Sequence, residues 1–306
     1  MTEAPSVASA PPAPSGRARR RSTLDAGRIA LHIFLILTCL VWIAPLLWSV
    51  FASLRTYEDT AARGYFSVPS ELTLNNFTRA WTDADLPHFF VNTLAITVPA
   101  VIITLLFSSV VAFVVSRFSF RFNLVVLMVF TAGNLLPQQV IITPLYHIYR
   151  LLPLPESLSD SGSMLNTQLG LVLIHVAFQA GFCTFVLSNY MKTIPREITE
   201  AATIDGAGVL RQYWQVILPL CRPALGALAT LEFTWIYNDF FWAVVLIQTG
   251  DKMPITSALS NLSGQFFTDY NLLAAGSLLV AIPSLVVFFA LQRQFVGGLT
   301  LGSTKG

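Results

Sequence analysis

The sequence predicts an all-α polytopic membrane protein with six transmembrane helices. Of its 306 residues, 54% are hydrophobic and only 11% are charged, whereas a soluble domain usually carries about 25% charged residues. The apolar residues also fall into runs of about 20, the length that crosses a bilayer as a helix. A soluble core of ordinary size has no place for so much apolar surface, so a membrane-spanning bundle is expected.

The amino-terminal residues 1–28 form a separate segment. They are rich in Pro, Ala and Ser, and we expect them to be disordered because they have too few bulky side chains to bury. A basic cluster between Arg17 and Arg21 is typical of the cytoplasmic flank of a membrane helix, with nucleic-acid binding as the alternative. The apolar run that follows is longer than the hydrophobic region of a cleaved signal peptide, so we interpret it as a permanent anchor.

Residues 29–306 are predicted to form one six-span domain, with a core at about 85–292 and a cytoplasmic tail at 293–306. The predicted spans cover residues 29–54, 89–116, 122–143, 169–190, 224–248 and 272–292. The three cysteines, Cys39, Cys183 and Cys221, lie in or beside apolar segments. Their spacing matches neither a metal site nor a disulfide framework, so neither is expected.

Both termini are predicted to be cytoplasmic because the basic residues are unevenly distributed among the loops. With this orientation, five of the 18 Lys and Arg residues lie outside and the remaining 13 lie inside. The outer five are Arg55, Arg63, Arg79, Arg150 and Lys252. An excess of Lys and Arg marks the cytoplasmic side of a membrane protein.

The first outer loop, at residues 55–88, is long and contains short amphipathic pieces. We expect it to lie along the outer membrane face, with Phe77 and Trp81 at the membrane interface, where aromatic side chains concentrate. A plain connecting loop is the alternative.

The loop at residues 191–223 is polar although both of its neighbouring segments are strongly apolar. Thr193 is predicted to cap a first short helix, with Pro195 in its first turn. The orientation of the spans places this loop in the cytoplasm.

Two glycines, Gly206 and Gly208, are predicted to end the first helix, because Gly tolerates positive φ. A second helix, at about 209–216, would end before Pro219 and lead into the fifth span. Asp205 lies near the carboxyl end of the first helix, where the helix dipole disfavours a carboxylate. A basic partner on another chain would account for it.

The spacing of this loop resembles the EAA loop of ABC importer permeases. The family pattern is EAA, three residues, Gly, nine residues and I-x-L-P, and the one departure in this sequence is Val for Ile. The matching residues are Glu200, Ala201, Ala202, Gly206, Val216, Leu218 and Pro219.

Two further segments narrow the resemblance. Trp235, Asn238, Asp239 and Phe240 match the W-x-x-N-[DE]-F segment of carbohydrate-uptake permeases, and the Gly-rich tail at 292–306 is similar to the carboxyl end of the six-span subunit in maltose-type systems. The resemblance covers roughly residues 72–306.

The resemblance implies the type I ABC importer permease fold, with the EAA loop and Asp205 in contact with ATPase subunits. It implies a bacterial inner-membrane heterodimer with a second permease subunit, two cytoplasmic ATPase subunits and an extracytoplasmic sugar-binding protein. The substrate would be a carbohydrate, a disaccharide or small oligosaccharide, moved by alternating access. ATP and Mg would be bound by the partner ATPases, since this chain has no GxxxxGK[ST] phosphate loop. No catalytic residue, cofactor or metal is expected on this chain.

Polar residues inside the predicted spans indicate a translocation path or a subunit interface. Glu232 and Asp239 are seven residues apart on the fifth span, which places them on nearly one face, about 10 Å apart along the axis. The other candidates are Asn134, Gln138, Gln139, Trp235 and Asn238, with Asn92, His175, Gln179 and Trp242 as further polar or aromatic groups. Pro137 after Asn134 predicts a kink in the third span. Hydrogen bonding between helices, which would fix the bundle, is the alternative role for each polar group.

Two other functions remain as alternatives. An intramembrane hydrolase would use Glu232 and Asp239 as a carboxylate pair, but their separation is too long for direct proton sharing and the chain has no HExxH or GxSxG motif. A proton-coupled secondary transporter would be expected to show internal repeats and more spans, and it would not account for the EAA-like loop.

Overall fold

The computed structural model describes residues 26–259 and 268–300, and the regular elements in these ranges are helices. The α-helices are α1 (Ala26–Ser53), α2 (Tyr57–Arg63), α3 (Asn75–Thr82), α4 (Leu86–Arg117), α5 (Asn123–Leu135), α6 (Ile142–Leu151), α7 (Gln168–Thr193), α8 (Arg196–Ile204), α9 (Val209–Arg211), α10 (Leu218–Leu220), α11 (Arg222–Tyr237), α12 (Phe241–Leu246), α13 (Ile255–Leu259) and α14 (Tyr270–Thr300). Short 3₁₀ turns cover Gln138–Ile141 and Gly250–Lys252, and Gln212–Ile217 is a π-helix. Most of the predicted disordered tail and the last six residues lie outside the described ranges.

The chain divides into two units, residues 1–48 and 49–306. The described part of the first unit is helical, and its side chains are mostly apolar and exposed, as at Phe34 and Trp42. An apolar exposed surface is the expected one for a helix that lipid surrounds. The second unit contains the end of α1 and all later elements.

Within residues 26–259 and 268–300, four helices are long and apolar enough to cross a membrane: α1, α4, α7 and α14. They lie close to the predicted first, second, fourth and sixth spans. The other two predicted spans correspond to bent pairs, which raise the number of spans to six if each pair is counted once. Helix α14 extends to Thr300 and so includes part of the predicted tail at 293–306, whose cytoplasmic location stays a prediction.

The third predicted span is bent at the expected place. Helix α5 and the segment Gln138–Leu151 meet at an angle of 92°. Pro137 has no backbone N–H to donate and disfavours helical geometry in the residue before it. Leu136 accordingly is extended, with ψ of 130°, and the predicted kink is confirmed.

The fifth predicted span, at 224–248, is not one continuous helix. Helix α11 ends at Tyr237, and α12 begins at Phe241 after a break. At its other end, α11 meets the helical run Val209–Leu220 at 73°. A separate helix before the fifth span is predicted from the sequence, but the largely apolar composition of 224–248 did not indicate the break after Tyr237.

Helices α4 and α7 pack through small residues. In a bilayer, lipid tails are as apolar as the protein, so helices associate through close packing of small side chains and hydrogen bonds between helices. The Ser108 hydroxyl donates to the Ala180 carbonyl across this contact at 3.2 Å. Fully buried small residues recur at every fourth position of α4, at Ala100, Thr104, Ser108 and Ala112.

Helix α5 approaches α7 at Gly181. A Cβ atom at this position would lie 2.1 Å from the Phe130 carbonyl oxygen and 3.7 Å from the Asn134 Cβ. Only a residue without a side chain allows this approach, so Gly181 sets the distance between the two helices.

The segment after α1 is ordered by polar contacts and is more than a plain connection. Arg55 and Asp59 form a buried ion pair, with Nη2 and Oδ2 2.7 Å apart. The Ser70 hydroxyl donates to the other oxygen of Asp59 at 2.7 Å. The Ser70 hydrogen bond and then Arg55 hold the pKa of Asp59 below its usual value. Trp81 on α3 is exposed, and its position at the membrane interface stays a prediction.

The start of α14 is joined to this outer segment. The Asn271 side-chain amide donates to the Ala52 carbonyl at 2.9 Å and to the Thr60 hydroxyl at 3.0 Å. Asp269 accepts from the Asn271 and Leu272 backbone N–H groups and so caps the helix. Residues that are far apart in the sequence therefore meet where α1 ends and α14 begins.

Candidate functional site

The EAA-like loop forms an exposed helical hairpin between α7 and α11. Glu200 and Ala201 on α8 are exposed, and Ala202 is half-buried. Two large apolar side chains on either side of the turn are exposed to solvent, Ile204 at 86% and Leu210 at 76%. Small residues beside exposed apolar ones are suited to close contact with another protein.

Helix α8 begins differently from the prediction. Pro195 is the residue before the helix, and Arg196 is its first residue. Thr193 instead ends α7, where its hydroxyl donates to the Tyr190 carbonyl at 2.7 Å. The prediction that Thr193 caps α8 is therefore wrong, because a carbonyl at the end of the preceding helix takes its hydroxyl.

Gly206 ends α8 as predicted. Its φ is +79°, which a residue with a Cβ adopts only with strain. Its N–H donates to the Thr203 carbonyl at 3.0 Å, and the Ala207 N–H donates to the Ala202 carbonyl at 2.9 Å. These two bonds form a Schellman motif, which fixes the direction in which the chain leaves the helix.

Asp205 occupies the last position of this turn and is exposed. It forms no ion pair with any residue in the described ranges. Its carboxylate is therefore available to a basic group outside this chain.

The second half of the hairpin is a continuous helical run from 209 to 220, through α9, the π-helix and α10. The prediction that this helix ends before Pro219 is wrong. Proline is tolerated in the first turn of a helix, where its missing N–H has no partner to lose. Pro219 stands at such a position, since α10 starts directly after the wide π turn.

Side-chain contacts fasten this run to the membrane helices. The Tyr213 and Ser109 hydroxyls are 2.6 Å apart, which ties the π-helix to α4. The Gln212 side-chain amide donates to the Ala207 carbonyl at 2.8 Å. Val216 and Leu218 are half-buried against the apolar cluster at the carboxyl ends of α4 and α7 and the amino end of α11. A displacement of the hairpin would therefore be passed to these helices.

A separate cavity of about 310 Å³ lies between the bent third span, α7 and the break after α11. Four of the predicted path residues meet there: Asn134, Gln138, Trp235 and Asp239. The lining is completed by His175, Phe178, Gln179 and Trp242. It combines amide groups and aromatic faces with one carboxylate, and it includes no Lys or Arg among the described residues.

Phe178 is the lining residue that the sequence analysis missed. It lies three residues after His175 and directly before Gln179, so all three fall on one side of α7. Helical spacing from His175 was the signal that could have identified it.

Asp239 lies in the break between α11 and α12. Its carboxylate accepts from the Trp242 and Ala243 backbone N–H groups at 3.4 and 3.2 Å, which places a negative charge at the amino end of α12, where the helix dipole favours it. The His175 Nε2 is 3.7 Å from the same carboxylate. The Thr256 hydroxyl donates to the Asp239 carbonyl. Both backbone and side chain of Asp239 are thus held in place at the edge of the cavity.

Glu232 does not share this cavity. It is fully buried, and the Cys183 thiol donates to its Oε1 at 3.1 Å. Its Oε2 has no partner among the described residues. Because α11 ends at Tyr237, Glu232 and Asp239 do not lie on one continuous helical face, so that prediction is wrong.

Three other predicted residues also lie elsewhere. Asn238 donates to the Thr234 carbonyl at 2.8 Å, and Gln139 lies in the 3₁₀ turn outside the cavity lining. Asn92 donates to the Asp251 and Met253 carbonyls and so connects α4 with an outer loop. The contacts of Asn92 therefore fit the alternative role, a hydrogen bond that stabilises the fold, and not the lining of a path.

Comparison with known proteins identifies the family of this chain. The model of the family described as binding-protein-dependent transport system inner membrane component matches residues 105–299. The diacetylchitobiose uptake system permease protein NgcG of Streptomyces coelicolor is 32% identical over 276 residues, covering 90% of this chain and 88% of that protein. The melibiose/raffinose/stachyose import permease protein MelC of Bacillus subtilis is 29% identical over 280 residues, covering 91% and 97%.

The fold is similar to a chain in the crystal structure of a bacterial ABC transporter involved in the import of the acidic polysaccharide alginate. The TM-score is 0.76 at 21% identity, and the match covers 91% of this chain and all of that one. The family match spans more than half of the sequence and includes both the hairpin and the cavity residues. The protein therefore belongs to the inner membrane components of binding-protein-dependent transport systems.

Proposed function

We propose that this chain is a permease subunit of an ATP-driven importer for a carbohydrate, a disaccharide or small oligosaccharide. The observation that carries the proposal is the cavity around Asp239, seen together with family relatives whose names specify saccharide uptake. The cavity offers what a sugar requires, namely hydrogen-bonding groups for hydroxyls and aromatic faces for the apolar side of the ring.

The charge of the lining favours neutral sugars. Asp239 is an acceptor for hydroxyl groups, and His175, Gln179 and Asn134 add donors and acceptors. The described lining contains no Lys or Arg, so a polyanion would meet the Asp239 carboxylate without a permanently charged cation to compensate it. A neutral saccharide therefore fits this cavity better than an acidic polysaccharide.

Transport would be coupled to ATP hydrolysis on partner ATPase chains through the hairpin. Its turn is fixed by Gly206, it presents Ile204 and Leu210 to solvent, and it is tied to α4 through Tyr213. Seating of this hairpin in a cleft of an ATPase would transmit closure of the ATPase pair to α4, α7 and α11. ATP and Mg would be held by those partners, and this chain would contribute no catalytic group.

The complete transporter would pair this chain with a second permease subunit and receive its substrate from an extracytoplasmic sugar-binding protein. Both termini would lie in the cytoplasm, as the distribution of Lys and Arg favours. Single cysteines at the exposed residues Ser119 and Ser161, introduced without the native cysteines, should react with an impermeant maleimide from opposite sides of the membrane. Labelling of both from one side would refute this orientation.

The proposal is tested by uptake of labelled disaccharides into proteoliposomes that contain the full transporter and its binding protein. Uptake should require internal ATP and should persist when the proton gradient is collapsed. Uptake that stops with loss of the gradient, or that needs no ATP, would support a secondary transporter instead.

A further inference from the structure

A second cavity, of about 320 Å³, lies at the opposite end of the bundle from the outer loops, where the turn after α4 meets the junction of α7 and α8. It is formed by the last residues of α4, the first turns of α5 and two residues at the α7–α8 junction. The lining residues are Val115, Ser116, Phe118, Ser119, Asn123, Leu124, Leu127, Lys192 and Arg196. None of the functions described above uses this cavity.

The polar part of the cavity is positively charged. Lys192 and Arg196 are both exposed, and neither forms an ion pair within the described ranges. The lining contains no carboxylate. Two cations without counter-ions in one concave site attract a phosphate group, whose oxygens accept from both.

The position of this basic pair is fixed by the fold. The Arg117 guanidinium donates to the Met191 carbonyl at 2.9 Å and to the Ile194 carbonyl at 3.1 Å. These bonds join the end of α4 to the chain on both sides of Lys192. The cavity is therefore a built feature of the helix junction, and its two cations do not depend on a flexible loop for their placement.

The other wall of the cavity is apolar and continues along the bundle surface. Leu124 is 66% exposed, and Met128, one helical turn further on the same face of α5, is 51% exposed, so the apolar wall extends along α5. A free phosphate would occupy only the basic side of the cavity and would make no contact with this wall. A ligand that has both a phosphate and a long hydrocarbon chain would cover it.

We propose that this cavity binds the headgroup of an anionic phospholipid of the cytoplasmic leaflet, with its acyl chains along α5. Basic pockets between membrane helices on the cytoplasmic side are suited to such headgroups. The phosphate lies between Lys192 and Arg196. Phosphatidylglycerol carries a net negative charge that the two cations compensate, whereas phosphatidylcholine also carries a quaternary ammonium group. Phosphatidylglycerol therefore fits the site better than phosphatidylcholine.

The site also has a consequence for coupling. Arg196 is the first residue of α8, so a bound lipid fastens the start of the hairpin to the membrane surface. The part of the chain that would meet the ATPase is then held at one end by lipid and at the other by α11.

The test is native mass spectrometry of the full-length chain in detergent, with phosphatidylglycerol or phosphatidylcholine added. We expect one phosphatidylglycerol to be retained in preference to phosphatidylcholine. Lys192→Gln and Arg196→Gln should each weaken phosphatidylglycerol binding about fivefold, because one cation near the membrane surface contributes about 1 kcal/mol. The double variant should weaken it about thirtyfold. Arg121→Gln is the matched control, because it removes a cation from the same turn outside the cavity lining, and it should bind as the wild type does.

Two results would overturn the proposal. One is equal retention of phosphatidylglycerol by the double variant and by Arg121→Gln, with unchanged Tm in all variants. The other is displacement of the lipid by excess inorganic phosphate, which would identify a site for a free anion. Lys192 and Arg196 are exposed, so loss of folding is not expected. If the double variant did not fold, each single variant could still be compared with Arg121→Gln.

Discussion

Replacement of Gly181 by alanine should push α5 away from α7 and impair both stability and transport. The added Cβ would lie 2.1 Å from the Phe130 carbonyl oxygen, whereas ordinary contact begins at 3.4 Å, so the helices must separate by about 1.3 Å. Overpacking of this kind costs about 1–3 kcal/mol. Asn134 follows Phe130 by one helical turn on α5 and lines the cavity, so the same shift would displace it from its place opposite α7.

The control is Gly133→Ala, on α5 itself. A Cβ at Gly133 meets nothing within 4 Å, and alanine favours a helix over glycine by about 1 kcal/mol. Thermal unfolding in detergent should show a lower Tm for Gly181→Ala and an equal or higher Tm for Gly133→Ala. Sugar uptake should fall in the first variant alone. Equal Tm and uptake in the two variants would mean that the close approach of α5 and α7 is not what fixes this part of the bundle.

Three further predictions concern the hairpin, the cavity and the outer segment. Gly206→Trp should reduce co-purification of the ATPase and abolish stimulation of ATP hydrolysis by the loaded binding protein, because the φ of +79° at Gly206 is strained for a residue with a side chain. The control Gly208→Ala should keep both properties, since the φ at Gly208 is −66°. Wild-type behaviour of Gly206→Trp would exclude the hairpin from coupling. Asp239→Ala should lower sugar uptake while the complex still assembles, whereas Asn238→Ala should have a smaller effect, and uptake at the wild-type rate in the first variant would remove Asp239 from the path. The pKa of Asp59 is lower in the folded chain than in the unfolded one. Its stabilising contribution is therefore present above the unfolded pKa of about 4 and is lost as the pH falls through the folded pKa. Unfolding of Asp59→Asn in detergent should depend less on pH in this acidic range, and acid-unfolding curves that coincide with those of the wild type would contradict this.

The sequence was sufficient to predict the long helices, because hydrophobic length alone identifies a membrane helix. It was also sufficient for the turn at Gly206, since positive φ is a property of one residue. The ends of the helices in the fifth predicted span were harder to predict from the sequence. Asn238 and Asp239 are polar residues in the apolar run between Ala224 and Gln248, but polarity alone does not predict a break in the helix. The break at 238–240 depends on Asp239 finding backbone N–H partners in α12.

The candidate site was predicted only in part, again because the deciding contacts come from other parts of the chain. Polar residues in apolar segments can be listed from the sequence, but whether they line a cavity or pair with a neighbour depends on which helices meet. Asn134 and Asp239 meet in the cavity, whereas Glu232 faces Cys183 on α7. No pattern within the fifth predicted span could distinguish Glu232 from Asp239, because the distinguishing contacts come from other helices.

The contacts of Asn271 have a consequence for biosynthesis. The amide of Asn271 reaches a carbonyl 219 positions earlier in the chain, and a chain leaves the ribosome with its amino end first. The pairing of Arg55 with Asp59 involves residues four apart and can form as soon as that segment emerges. The contacts of Asn271 with Ala52 and Thr60 can form only after α14 has been synthesised. The segment after α1 therefore enters the membrane without these contacts and gains them when α14 is inserted.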